Sequence, residues 1–170
     1  MLALLLTLLL WQQTSSSDEL WSRILEANLP QRTLQAGWNQ IKHSPMLEED
    51  LRSEGQVWLR QGEALRWEMQ QPVRRVTLLN GTDARGRFRM PSEKDFQVTV
   101  LTDDDAVTVQ LVPLRRDLKQ LLGRMVLDVD PKTLLVRHLM MIGTEGEWTR
   151  IEFHHVVRDA ALPDALFQKE

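Results

Sequence analysis

The segment from Ser53 to Pro72 constrains the fold most. It holds two runs in which apolar and polar residues alternate, joined by Arg60-Gln61-Gly62-Glu63 and stopped by a proline. Alternation at period two marks strands with one wet face and one apolar face. The apolar face here reads as Trp58 on the first run and Leu65, Trp67 and Met69 on the second. A hairpin with that much aromatic and Met surface needs a cover, which is either another part of the chain or an apolar ligand.

The rest of the chain repeats the pattern. Strands are expected over Leu34–Lys42, Gln56–Arg60, Ala64–Gln70, Val76–Leu79, Phe96–Val100, Val107–Leu111, Met125–Val129, Leu134–Ile142 and Trp148–Val157. Asn80-Gly81, Asp103-Asp104-Asp105, Asp130-Pro131 and the stretch Gly143 to Gly146 supply turns. Arg85–Met90 reads as a short basic strand or loop, and Arg115–Leu122 as a helical turn or linker. Strands at roughly ten-residue spacing with tight turns predict one antiparallel meander. Ahead of them, Ser17 or Asp18 caps a helix over 18–29 whose Leu20, Trp21, Ile24 and Leu25 make one apolar stripe, ended by Pro30. The expected fold is therefore mainly β (α+β): a curved antiparallel sheet with an N-terminal helix on its apolar concave face. About nine strands present more area than one helix covers, so curling leaves an apolar cavity.

With 170 residues the chain fits one domain, and 42% hydrophobic residues suffice for a core. A net charge of −3 lends no support to nucleic-acid binding. The absence of cysteine excludes a thiolate metal site, a cysteine nucleophile, a disulfide framework and a lipid-modified N-terminal cysteine. Met1 to Trp11 is almost all leucine, too short to span a membrane, and leads into Thr14-Ser15-Ser16-Ser17. That is the shape of a signal peptide over residues 1–17, although no Lys or Arg precedes Leu2; a buried helix is the alternative. It leaves a single exported domain over 18–170.

Four stretches in order resemble the outer-membrane lipoprotein carrier family of LolA-type periplasmic chaperones. They are Gly37-Trp38-Asn39-Gln40, Glu54-Gly55-Gln56-Val57-Trp58-Leu59, Leu65-Arg66-Trp67-Glu68-Met69-Gln70-Gln71-Pro72, and Trp148-Thr149-Arg150-Ile151-Glu152-Phe153 followed by Leu162-Pro163 and Phe167. The resemblance implies an unclosed β-barrel with a helical lid over a cavity. It also implies a soluble, monomeric periplasmic carrier that takes acylated lipoproteins, or another lipid-like cargo, from an inner-membrane transporter complex to an outer-membrane receptor. No bond is made or broken, so the chain is expected not to be an enzyme and to need no cofactor. Exposing a sixteen-carbon chain to water costs roughly 12 kcal/mol at about 0.8 kcal/mol per CH₂, so a carrier must cover it. The receptor of such a pathway needs an N-terminal cysteine, and the chain has none.

The sequence departs from the family twice. Gln61-Gly62 stands where the family has an Arg-Pro pair that tunes the lid, and the segment after Asn80-Gly81 is short and basic. A smaller lid and a more open cavity follow. The expected cavity residues are Trp38, Trp58, Leu65, Trp67, Met69, Leu78, Val98, Val100, Ile151 and Phe153, with plain core as the alternative for each. Arg60, Arg85, Arg87 and Arg89, beside Arg74 and Arg75, form either a basic rim for an anionic partner or a solvated edge.

No metal site is expected. His154 and His155, adjacent on a strand, should point to opposite faces, and Asp103 to Asp105 lack the spacing of a calcium loop. Asn80-Gly81-Thr82 matches a glycosylation sequon, but the Asn-Gly pair already has a turn role. The second function class is an interaction or sensor module on the same fold with a filled interior.

Overall fold

The structure, a computed structural model, describes residues 17–29, 32–81, 92–103 and 105–168. Helix α1 spans 17–28. Nine strands follow: β1 Thr33–His43, β2 Leu51–Arg60, β3 Ala64–Gln71, β4 Arg75–Asn80, β5 Phe96–Asp103, β6 Ala106–Pro113, β7 Arg124–Val129, β8 Val136–Ile142 and β9 Trp148–Arg158. A short helix α2, Arg116–Lys119, lies between β6 and β7, and a 3₁₀ turn closes the chain at Asp164–Phe167.

All nine strands form one antiparallel sheet in the order β4-β3-β2-β1-β9-β8-β7-β6-β5. The chain steps outward from β1 to β4, crosses to the far edge at β5, and steps back until β9 pairs with β1. The edges β4 and β5 are not paired with each other, so this is an unclosed barrel with one N-terminal helix, as the family resemblance implies, and the single meander expected from the strand spacing is interrupted between β4 and β5. Strand β2 runs five residues further back than expected. Residues 51–55 do not alternate cleanly, but the long β1 holds them through pairs such as Lys42 with Leu51 and Trp38 with Gly55.

The concave face carries two apolar clusters. Trp21 and Ile24 of α1 pack on Phe96, Val107, Val109, Leu111, Leu127 and Val129 of β5–β7. Ala36, Trp38, Val57, Leu65, Leu79 and Ile151 make the other, on β1–β4 and β9. Helix α1 thus packs on one half of the sheet, and among the described residues no helix packs on the cluster of the other half.

The start of β8 is set by a side chain. Asp130 is buried, and its Oδ1 accepts from the backbone N–H groups of Lys132 and Thr133 at 2.8 and 2.9 Å. Its other oxygen pairs with Arg137. Leu134, at φ 58°, still belongs to this turn, so β8 begins two residues later than the apolar run suggests. Asp130→Ala orphans both N–H groups and should cost about 2 kcal/mol in chemical denaturation.

Candidate functional site

Between the two clusters lies an apolar cavity of about 290 Å³. Leu34 and Ala36 of β1, Val57 and Leu59 of β2, and Leu65 and Trp67 of β3 form one wall. Met125 and Leu127 of β7, Leu135, Val136 and Leu139 around β8, and Phe153 and Val156 of β9 form the other. Asn28 from the end of α1 and Arg158 from the end of β9 are the polar groups that reach it. Strand pairing explains the first wall: Val57 stands opposite Trp67, and Leu59 opposite Leu65, so the four share a face.

The expected residues separate by face. Leu65, Trp67 and Phe153 line the cavity. Trp38, Met69 and Ile151 adjoin it in the same cluster, with Trp38 fully buried and stacked on Trp67 at 4.7 Å between ring centroids. Among the described residues the Trp38 indole N–H has no hydrogen-bond partner. Val98 and Val100 share the concave face but pack with the cluster under α1. They line a separate groove of about 520 Å³ near Ser17 and Asp18.

Trp58 and Leu78 lie elsewhere. Trp58 stands opposite Arg66, and Arg66 opposite Leu78, on the convex face. The inward-facing neighbours are Val57 and Leu79, and in both places adjacent apolar residues made the two faces ambiguous at period two.

The convex face has its own cover. Trp58 and Ala64 pack with Phe167, flanked by Leu162 and Leu166. Arg60 corrects the expectation of a basic rim, because it holds this C-terminal turn in place. It donates to the Leu162 carbonyl at 3.0 Å, pairs with Asp164 at 2.8 Å and sits over the Phe167 ring at 4.8 Å. Arg66 donates to the Leu166 carbonyl at 3.1 Å and to Glu68 Oε2 at 2.6 Å. Arg74 pairs with the other oxygen of Glu68 at 3.0 Å. Arg85, Arg87 and Arg89 lie outside the described residues.

Glu68 is buried, which opposes its ionisation. Hydrogen bonds and charge from Arg66 and Arg74 outweigh that cost and hold its carboxyl below the ordinary value of 4.5. Its contribution to stability is therefore complete above that value and is lost as pH falls through the lowered folded value. Acid titration of thermal stability should show a fall below about pH 4.5 that is shallower in Glu68→Gln. Equal slopes in the two proteins would remove Glu68 as the cause.

His154 and His155 do not point apart. Register shifts between β1 and β9 at Gln35/Gly37, and His155 adopts φ 50°, so both rings lie together with their Nδ1 atoms 2.8 Å apart. This bulge puts two residues on one side of the strand, which alternation cannot anticipate. Among the described residues no group of three or more His, Asp or Glu is placed to hold a metal ion.

An unclosed nine-stranded barrel with a helix on one half of its concave face and an apolar cavity beside it defines a LolA-like fold, here a divergent one. A LolA superfamily protein from Nitrosomonas europaea superposes with a TM-score of 0.50 at 13% identity, covering 90% of this chain and 97% of the other. MucB superposes with a TM-score of 0.58 at 15% identity, covering 92% of this chain and 63% of MucB. A MucA/MucB complex from Pseudomonas aeruginosa gives 0.54 at 15% identity, covering 89% of this chain and 60% of that one. The chain thus spans about three fifths of the length of the MucB structures. No family model matches the sequence, and no curated protein is detectably similar to it.

Proposed function

We propose that this chain is an exported periplasmic carrier that shields an acyl chain of a lipoprotein, or of another lipid-like cargo, in the cavity beside α1. The carrier collects its cargo from an inner-membrane complex and delivers it to an outer-membrane receptor, without catalysis. The observation that carries this reading is the cavity itself: it is walled by apolar side chains from β1–β3 and β7–β9, with α1 reaching its edge through Asn28. Trp67, Met125 and Phe153 give it walls that repack around a flexible chain, as loose binding and release require. A fluorescent acylated peptide should stay monomeric and gain emission in the presence of the protein. Unchanged emission across a full titration would reject the carrier.

A second reading has one observation behind it. A MucB structure of this fold is a complex with MucA, a protein partner. As an interaction module, the present chain would bind a polypeptide and leave the acylated peptide unbound.

A further inference from the structure

Cavity size and, among the described residues, the one charged side chain at its edge that lacks a carboxylate partner narrow the cargo. At about 290 Å³ the cavity lies at the lower end of the roughly 300–1,000 Å³ typical of small-ligand pockets. That size suits one slender acyl chain rather than several side by side. Two polar side chains reach the lining, and they differ in what they have left to give. The Asn28 amide is used up: its Nδ2 donates to the Ile24 and Leu134 carbonyls, and its Oδ1 accepts from the Val136 N–H. Arg158 is exposed, touches the cavity, and gives one bond, from Nη1 to the Ala27 carbonyl at 2.5 Å. A guanidinium has five N–H donors. Among the described residues no carboxylate pairs with Arg158; Asp159 accepts from the Arg32 N–H, and Glu26 and Asp159 share with Arg158 a second groove on the outer side without bonding to it.

We infer that the cavity takes a single-chain amphiphile with an anionic head, a long-chain carboxylate, and that Arg158 is the residue that holds the head. This rests on the carrier reading and adds the head-group and the number of chains. The chain lies among Leu34, Leu59, Leu65 and Phe153, while the carboxylate stays at the wet edge. There it accepts two N–H bonds in the forked geometry that guanidinium offers. Arg158 keeps its Ala27 bond, since the head needs only two of the remaining donors.

The test compares two ligands with one tail: dodecanoate and its methyl ester, titrated by displacement of a fluorescent acyl probe from wild type and Arg158→Gln. The expected result is one molecule bound per chain. The substitution should weaken dodecanoate at least tenfold and leave the ester within twofold. Equal weakening of acid and ester would mean that Arg158 only shapes the cavity, and would overturn the head-group assignment. A stoichiometry of two or three would overturn the single-chain assignment, with the carrier reading intact. If wild type binds neither ligand, the carrier reading falls as well. A thermal melt of Arg158→Gln separates loss of the Ala27 bond from loss of ligand.

Discussion

Ala36→Phe should abolish acyl-chain binding in a protein that still folds. Ala36 is buried on β1 in the cavity wall, opposite Val57. Phe places a six-carbon ring in a cavity of about 290 Å³. At about 0.8 kcal/mol per methylene, excluding six of them removes roughly 5 kcal/mol of transfer free energy. A chain with a partial alternative seat keeps some of that, so the expected loss is at least 100-fold. The added ring fills existing space, which keeps the stability cost below the 1–3 kcal/mol typical of an overpacked core. This substitution is a better probe than Leu65→Glu. Leu65 is 2% exposed, so a carboxylate there would unfold the sheet before it reported on ligand. Probe titration beside a thermal melt reads both quantities, and unaltered affinity in a folded Ala36→Phe protein would place the ligand elsewhere.

Gly55→Val should be the most damaging small substitution in the hairpin. Gly55 lies at the bulge where β2 and β3 change register, between Glu54/Gln71 and Gly55/Met69. A Cβ there would run into the Glu68 carbonyl oxygen, which is backbone, and come within 2.7 Å of Trp38 Cζ2. The Trp38 ring cannot yield cheaply, because it is stacked on Trp67 and fully buried. Overpacking with backbone displacement costs about 3 kcal/mol or more, a large part of a small domain's stability. Gly37→Ala is the control. The atoms nearest to its Cβ would be those of the His154 ring, a side chain that can swing aside, so about 1 kcal/mol is expected. Denaturant midpoints of the two variants check the order, and a milder effect at Gly55 than at Gly37 would contradict the packing described for Trp38.

Period-two alternation carried most of the fold. Phe96-Val98-Val100 and Val107-Val109-Leu111 have one apolar tooth in two, and both strands came out with the expected face inward. The helix stripe of Trp21 and Ile24 was equally plain. Legibility failed where apolar residues are consecutive. In Val57-Trp58-Leu59 and Leu78-Leu79 either face could be the inner one, and the larger Trp58 drew the assignment that register then gave to Val57. The cover over Trp58 comes from Phe167, some hundred residues away, which no local pattern reveals. Arg158 and Asn28 were missed for a similar reason. Their importance comes from lying together at the cavity edge, one ending β9 and the other ending α1. Arg60 was legible as a charge but not as a latch, because its partners Leu162 and Asp164 are distant in sequence.

Native mass spectrometry of the protein purified without detergent from its own cells shows what the cavity carries. The expected result is a protein-plus-lipid mass with one acyl chain per copy, absent from Ala36→Phe purified in the same way. Bare protein, or protein carrying only a polypeptide partner, in both samples would contradict it.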